Sequence, residues 1–327
     1  MAERIPRDQS LSRIYGAGAL FSAGYGNVGS SIYYALGVTA AFALGLTPLA
    51  FMVAGLIFIC TAATYAEATV MYPEAGGSSS FARHAFNEMV SFIAAWGQML
   101  NYTITVAISA YFVPHYLAVL WPALGSGPWD VVAAAVVIAG LALINVRGGQ
   151  ESARLNTVLS VSDVATQILL VLVGLFLVFN TDILLANIHW GVAPTWGNFA
   201  LGVAVGMIAY TGIETISSMS EEARDAARSV PRGVGLVVVV VLLLYLLIPV
   251  VALSAMPVTQ GPDGSYMTEL GTTFADDPML GIVEGVGLPD GITAALRVYV
   301  GVFAGVILIV ATNAGLIGVS RLSYSMG

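Results

Sequence analysis

Long apolar stretches separated by short polar segments dominate the chain. Counting apolar runs of about 17–25 residues as candidate membrane spans predicts eight helices. They cover approximately residues 14–40, 48–71, 89–120, 130–146, 156–179, 198–219, 234–256 and 292–320. The third run is longer than a bilayer requires and holds Pro114 near its end, so we expect its helix to reach about Phe112 and then kink or break. The pattern predicts an all-α integral membrane protein.

The composition favours lipid as the solvent for most of this chain. Of its 327 residues, 58% are hydrophobic and only 9% are charged, whereas a water-facing surface needs roughly a quarter charged residues. The mean hydropathy is +0.87. Two soluble domains, the usual expectation for this length, are therefore excluded. All eleven basic residues are arginines, so chemistry that needs a lysine, such as a Schiff base or a phosphate loop, is excluded as well.

The arginines predict the orientation of the spans, because basic residues near span ends are retained in the cytoplasm. Ten of the eleven arginines lie on one side of an eight-span arrangement whose N-terminus is cytoplasmic, and only Arg297 lies on the other. The opposite loops are acidic or neutral, and the longest, between spans seven and eight, has six acidic residues before Arg297. We expect a multi-pass protein of the cell membrane.

Span one contains a glycine-rich segment, residues 24–34, that matches the dinucleotide fingerprint Gly-x-Gly-x-x-Gly. We reject this match because the fingerprint needs a preceding strand and an acidic residue about 20 positions later, and the next acid here is Glu67. Two alternatives remain. The glycines can bring two membrane helices close together, or the helix can unwind at the bilayer midplane, where free N–H groups near Ser30 suit a carboxylate and carbonyls near Tyr25 and Gly26 suit a cation.

Span six repeats this arrangement at residues 209–215, where Glu214 lies within an otherwise apolar segment. An ionisable group inside a span is costly and is a functional candidate by default. Breaks in the first and sixth spans suggest two repeats of five helices. We expect a single domain over residues 1–327, with the first repeat at about 14–180 and the first three helices of the second at about 195–327.

Other polar residues also lie within predicted spans. Asn101, Thr105 and Ser109 share one helix face and suit either interhelical hydrogen bonds or a pocket. Asp163 on span five is accompanied by serine and threonine residues and is a candidate to face a cavity, and Thr312 on span eight is a candidate to hydrogen-bond a neighbour or help to coordinate an ion. The three histidines lack metal-ligand spacing, so we expect no metal site and no cofactor.

Several motifs resemble those of the amino acid, polyamine and organocation (APC) superfamily of permeases. Residues 29–33 resemble the Gly-Ser-Gly-Ile-Phe signature of helix 1, and residues 72–78 the Pro-x-x-Gly-Gly loop after helix 2. Residues 145–154 are similar to the Asn-x-Arg-Gly and Ser-Ala motif before helix 5. Residues 210–214, with the following Glu-Glu and Pro-Arg pairs, resemble helix 6 and its cytoplasmic tail, and residues 313–321 resemble the end of helix 8. Their order covers the whole chain.

The resemblance implies the five-plus-five inverted-repeat transporter fold, with substrate between broken helices 1 and 6. Backbone at Gly29, Ser30 and Ser31 would hold a carboxylate, and carbonyls near Gly26 and Ile208 an ammonium group. Tyr210 would form part of a gate. Glu214 would tie helix 6 to its neighbours or sense protonation. The candidate substrate-binding residues are Gly26, Asn27, Gly29, Ser30, Ser31, Asn101, Thr105, Ile208, Tyr210, Thr211 and Gly212. The candidate coupling or gating residues are Asp163, Glu214 and Thr312.

Three departures from the family pattern limit what can be transferred. Ser31 replaces a glycine, and its side chain leaves less room for a carboxylate to approach the backbone. Asp163 stands where proton-coupled members have a lysine in place of a sodium ion, so it could ligate a cation or carry the proton itself. The pattern also resembles the potassium-uptake branch of the superfamily, which has acids where Asn27 and Asn101 stand here. Two neutral amides favour amino acids over potassium.

We therefore predict a secondary active transporter for an amino acid or related amine, coupled to protons or to another cation such as sodium, with potassium uptake as the alternative. A membrane enzyme is disfavoured because the spans lack a nucleophile–base pair, a metal cluster and paired catalytic carboxylates. The implied fold has at least ten helices, so eight predicted spans lead us to expect that the second repeat is incomplete.

Overall fold

The computed structural model describes residues 15–74, 76–147 and 153–326. Over these ranges the chain is almost entirely helical. The α-helices are α1 (Ala17–Val28), α2 (Ile32–Ala43), α3 (Thr47–Met71), α4 (Ser78–Ala85), α5 (Glu88–Leu117), α6 (Trp129–Val146), α7 (Ala153–Leu177), α8 (Thr181–Ala186), α9 (Trp196–Ile208), α10 (Glu214–Ser218), α11 (Ala226–Ala255), α12 (Pro278–Gly285) and α13 (Asp290–Met326). A short hairpin pairs β1 (Thr259–Gln260) with β2 (Tyr266–Met267) in antiparallel fashion.

The long helices account for the predicted spans. Five helical segments in the described ranges are long and apolar enough to cross a membrane, and the first of them, Ala17–Met71, joins α1, α2 and α3. The others lie in α6, α7, α11 and α13, while α9 is a shorter apolar helix and α5 has the length of a span but is not among the five. The predicted all-α membrane class is confirmed. The division into two repeats stays a prediction.

Helix α5 corrects the expected break near Phe112. It continues without interruption to Leu117 and contains Pro114. A proline inside a helix has no N–H, so one backbone hydrogen bond is lost, and its ring crowds the preceding turn. Pro114 lies in the last turn of α5, so the helix ends soon after it. Val113 and Tyr116 on either side of it are buried, which supports this last turn through packing.

The two predicted breaks differ in extent. Span one is interrupted by a single 3₁₀ turn, Gly29–Ser31, and the flanking residues keep helical dihedral angles. The interruption is therefore narrower than the unwound segment that we predicted for helix 1. The turn is tightened by Ser30, whose hydroxyl donates to the Gly26 carbonyl at 2.9 Å. Span six does leave the helix between α9 and α10, where Gly212 has a φ of 121°, a conformation that only glycine adopts readily.

The segments that connect the spans form an acidic end and a basic end. The acidic end is the loop between α11 and α13, residues 256–289, which carries five acidic residues and no basic residue. This loop contacts α2 directly, because a Cβ on Gly37 would lie 2.2 Å from the Ala275 carbonyl oxygen. Arg297, the exception in the arginine pattern, forms an ion pair of 2.7 Å with Glu284. Its charge is thus compensated at the acidic end.

The basic end is defined by the described arginines Arg83, Arg147, Arg154, Arg224, Arg228 and Arg232. Glu74 receives hydrogen bonds there from Ser80, Arg83 and His84, and the Ser80 hydroxyl is the main reason that the pKa of Glu74 is lowered. The first three arginines of the chain and residues 148–152 of the motif before helix 5 lie outside the described residues.

Candidate functional site

The two interruptions face each other inside the bundle. A Cβ added to Gly212 would lie 3.0 Å from the Asn27 side chain, so the backbone of span six passes directly over span one. The Asn27 amide also donates to the Thr215 hydroxyl at 3.0 Å. The side-chain oxygen of Asn27 is buried and, in contrast to its backbone carbonyl, has no hydrogen-bond partner among the described residues. Gly212 is buried, as are the five predicted site residues of span one, Gly26, Asn27, Gly29, Ser30 and Ser31.

The carbonyls predicted to receive an ammonium group already accept hydrogen bonds. The Gly26 carbonyl accepts from the Ser30 hydroxyl, and the Ile208 carbonyl accepts from the Thr211 hydroxyl at 2.8 Å. Ser31 behaves similarly, since its hydroxyl donates to the Asn27 carbonyl at 3.3 Å. The serine and threonine side chains of both interruptions are thus turned towards the backbone of their own segments in this conformation.

Tyr245 on α11 connects the two interruptions, which the sequence analysis did not predict. Its hydroxyl donates to the Val28 carbonyl beside the turn of span one and lies 3.3 Å from the Ala209 carbonyl at the end of α9. The side chain is fully buried. A tyrosine in an apolar span is a signal of a buried hydrogen bond, but the position of its partners depends on how three helices pack.

Glu214 begins α10 and links it to α5. One carboxylate oxygen accepts from Gln98 at 3.1 Å and from Asn101 at 2.9 Å, and the other accepts from the Gly212 backbone N–H at 2.9 Å. All of these donors are neutral. A cavity of about 20 Å³ lies beside the carboxylate, enough for about one water molecule. It is lined by Gly76, Gly77, Ser78, Gln98, Tyr102 and Ser218, among others.

Asp163 on α7 is fully buried against span one. Its two oxygens accept from the hydroxyls of Tyr33 at 2.7 Å and of Tyr25 at 2.9 Å, and the second also accepts from Gln167 at 2.8 Å. Tyr25 precedes the 3₁₀ turn and Tyr33 follows it, so one carboxylate connects α1 to α2. Asp163 does not face the cavity that the sequence suggests, because Tyr25 and Tyr33 occupy this position.

The other predicted residues lie further from the contact between Asn27 and Gly212. Tyr210 is packed between α3 and α11, where its hydroxyl donates to the Phe51 carbonyl at 2.9 Å and its ring meets Tyr245. Thr105 and Thr312 are buried, and each hydroxyl bonds a carbonyl of its own helix. The Ile208 side chain remains 38% exposed, so its side chain is not enclosed with Asn27.

Comparison with known proteins places this arrangement in a family. The model of a family described as amino acid permease matches residues 11–327. The chain belongs to the amino acid permease family. This membership agrees with the apolar helical spans of a multi-pass membrane protein.

The relatives of this permease carry different small molecules. It is 29% identical to the methylthioribose transporter of Bacillus subtilis over 89% of the present chain and 65% of the relative. It is 26% identical to the vacuolar cationic amino acid transporter 4 of Arabidopsis thaliana, over 77% of this chain and 44% of that one. It is also 26% identical to a low-affinity putrescine importer of Escherichia coli, over 62% and 45%. The permease chain spans about half to two thirds of their lengths.

Proposed function

We propose that this permease moves an amino acid or a related amine across the cell membrane by alternating access, with the basic end in the cytoplasm. The observation that carries the proposal is the contact between Asn27 and Gly212. It sets two interrupted helices face to face in the buried centre of the bundle, and irregular backbone at that depth is tolerated where it is enclosed by protein or lines a cavity.

The backbone of the interruptions supplies the binding groups in this proposal. N–H groups at Gly29, Ser30 and Ser31 hold the substrate carboxylate, which requires the Gly29 N–H to leave the Tyr25 carbonyl that it bonds in this conformation. The carbonyls of Gly26 and Ile208 accept from its ammonium group. Rotation of the Ser30 and Thr211 hydroxyls away from these carbonyls makes them available. The relatives that carry cationic amino acids and putrescine support a substrate with an amino group.

We further propose that coupling uses a proton carried on a buried carboxylate. Asp163 and Glu214 are the candidates, and their described hydrogen-bond donors are all neutral. An ionised carboxylate without a compensating positive charge is costly to bury. Binding a proton removes that cost. Thr312 on α13 stays a candidate for coupling or gating through a hydrogen bond or an ion contact, and α13 contacts the Gly29–Ser31 turn.

Uptake by the purified protein in proteoliposomes tests this function. Labelled amino acids and putrescine are offered with and without an inward proton gradient, and we expect uptake of at least one of them to rise with the gradient. Labelled rubidium, as a stand-in for potassium, is offered in parallel. Flux of rubidium that no amino acid or amine inhibits would contradict the amine proposal and favour the inorganic cation.

A neutral hydroxylated solute is a second candidate. The Asn27 side-chain oxygen, which has no partner among the described residues, accepts from a hydroxyl as readily as from an ammonium group, and the serine hydroxyls can serve as further partners. A relative that carries methylthioribose supports this class. Competition by methylthioribose, with no competition by any amino acid or by putrescine, would select it.

A further inference from the structure

Gln167 connects the buried carboxylate of Asp163 to the interruption of span one. It lies one helical turn after Asp163 on α7 and is fully buried. Its amide nitrogen donates to Asp163 at 2.8 Å and to the Gly29 carbonyl at 3.3 Å. Gly29 begins the 3₁₀ turn. One amide group therefore contacts both the candidate proton carrier and the candidate substrate site.

The other end of this amide has no partner. The Gln167 carbonyl oxygen is buried and accepts no hydrogen bond from the described residues. A buried acceptor that is left unpaired destabilises the folded protein. The oxygen and nitrogen of an amide are similar in size, so half a turn about the last side-chain bond exchanges them within the same space. The unpaired oxygen thus has a second position available without repacking.

The protonation state of Asp163 decides which orientation is favoured. An ionised carboxylate only accepts hydrogen bonds, so it holds the amide nitrogen towards itself, as observed. A protonated carboxyl carries an O–H donor and favours the amide oxygen instead. The titratable groups around Asp163 are the phenols of Tyr25 and Tyr33 on span one and of Tyr245 on α11, with Tyr116 on α5 packed behind Tyr33.

We propose that Gln167 is a positioning residue that transmits the proton occupancy of Asp163 to the substrate site by reversing its amide. In the reversed orientation the amide oxygen faces the Gly29 carbonyl, which loses its side-chain donor and is repelled. That carbonyl then accepts a hydrogen bond from the substrate. Protonation of Asp163 and binding of a donor-bearing substrate therefore favour each other. This inference rests on the proposed function and deepens its coupling step.

The first test is the pH dependence of uptake, because a purely structural role would leave its shape unchanged. The apparent KM of the wild-type permease is expected to fall as the pH is lowered, by up to about tenfold per pH unit in the range where Asp163 is ionised. Gln167→Met keeps the length but cannot exchange donor and acceptor, and it is expected to flatten this slope to less than about twofold. Thr166→Val, which removes a buried hydroxyl bonded to Ser162 and Tyr299, is the control and keeps the wild-type slope.

The second test needs no substrate and separates this inference from the proposed function. Infrared difference spectra of the purified wild type between acid and alkaline buffer are expected to show two features. One is a carboxylic acid C=O band that Asp163→Asn removes. The other is a side-chain amide C=O shift that Gln167→Met removes and Thr166→Val retains.

The outcomes are distinguishable. An amide shift that persists in Gln167→Met, or a wild-type pH slope in that variant, overturns the role of Gln167 and leaves the proposed function standing. Absence of any amine or amino acid uptake by the wild type, with both infrared features present, overturns the proposed function alone. Loss of the amide shift together with a flattened slope supports the inference.

Discussion

Gly212 shows how much one residue determines in this permease. It is the residue of span six with a positive φ, and it has no room for a side chain because Asn27 lies against it. Both constraints act at the point where span six crosses span one. The residue therefore sets the backbone path of the interruption as well as its closeness to Asn27.

Gly212→Ala is expected to lower the free energy of unfolding by about 1–3 kcal/mol, since it adds a strained φ and a crowded Cβ. Gly235→Ala is the matched control, because it lies in α11 with nothing within 4 Å of its Cβ position. There alanine is expected to be neutral or to stabilise the helix by about 0.5–1 kcal/mol. Thermal unfolding in detergent compares the two. Equal melting temperatures would show that the interruption tolerates a side chain.

At the scale of elements, Tyr245 holds α11 to the ends of α1 and α9. Its hydroxyl serves the Val28 and Ala209 carbonyls, which lie beside the proposed ammonium ligands. The Tyr245 hydroxyl therefore occupies carbonyls next to those that the proposal assigns to the substrate amine.

Tyr245→Phe is expected to destabilise the protein by about 1–3 kcal/mol, because a buried carbonyl is left unpaired. It is also expected to lower the apparent KM for an amine, since the released Val28 and Ala209 carbonyls become additional acceptors beside the proposed site. Tyr116→Phe is the control, because Tyr116 bonds the Tyr33 carbonyl and neither Val28 nor Ala209, and it should show the stability loss alone. Melting temperature and uptake are measured on both variants. A raised KM in Tyr245→Phe contradicts this role of the released carbonyls.

Glu214 ties α10 to α5 through Gln98 and Asn101. Glu214→Gln places an amide nitrogen opposite a neighbouring donor, so one of the carboxylate's contacts is lost. We expect the variant to alter the pH profile of uptake, because the group can no longer titrate. Glu67→Gln removes an exposed carboxyl of α3 and should keep the wild-type profile. A Glu214→Gln profile that matches the wild type would demote Glu214 to a packing residue.

The sequence predicted these elements unevenly. Apolar length was sufficient for the spans, and glycine content marked both interruptions. Glycine content did not distinguish the 3₁₀ turn of span one from a wider opening, because the width of the interruption depends on which carbonyl the Ser30 hydroxyl bonds. The kink expected at Pro114 was wrong because the position of a proline within the last turn matters more than its presence. Short helices such as α4 and α12 carry too few residues to form an apolar pattern.

The partners of Asp163 show a limit of a different kind. Tyr25 and Tyr33 are eight residues apart and therefore share a helix face, as Asp163 and Gln167 do on α7. Each face was visible in the sequence. Their meeting was not, because it depends on the packing of spans one and five, which are about 130 residues apart along the chain.

At the scale of the whole molecule, the acidic end has its own titration. Burial is the main cause that raises the pKa of Asp277 from 3.8 to about 6. A raised pKa means that the folded protein prefers the protonated form. Its ionisation therefore lowers the stability of the folded protein as the pH rises from about 4 through about 6.

Asp277→Asn is expected to raise the free energy of unfolding at pH 7 by roughly 1–2 kcal/mol, since one pKa unit corresponds to about 1.4 kcal/mol and the side chain is partly exposed. Below pH 4 the difference should vanish. Asp263→Asn is the control, because hydrogen bonds from Ser265 lower the pKa of this exposed carboxyl, and it should give no gain. Melting temperatures across this pH range decide the matter. Equal gains at every pH would exclude titration of Asp277 as the cause.

The glycine contacts between the acidic-end loop and α2 have a mechanical consequence. At Gly37 the loop backbone touches α2, and at Gly271 the loop itself supplies the glycine, 2.6 Å from Ala41 in the position a Cβ would take. Two backbones in direct contact have no layer of side chains that could slide or change rotamer between them. We therefore expect α2 and this loop to move together in any opening at the acidic end.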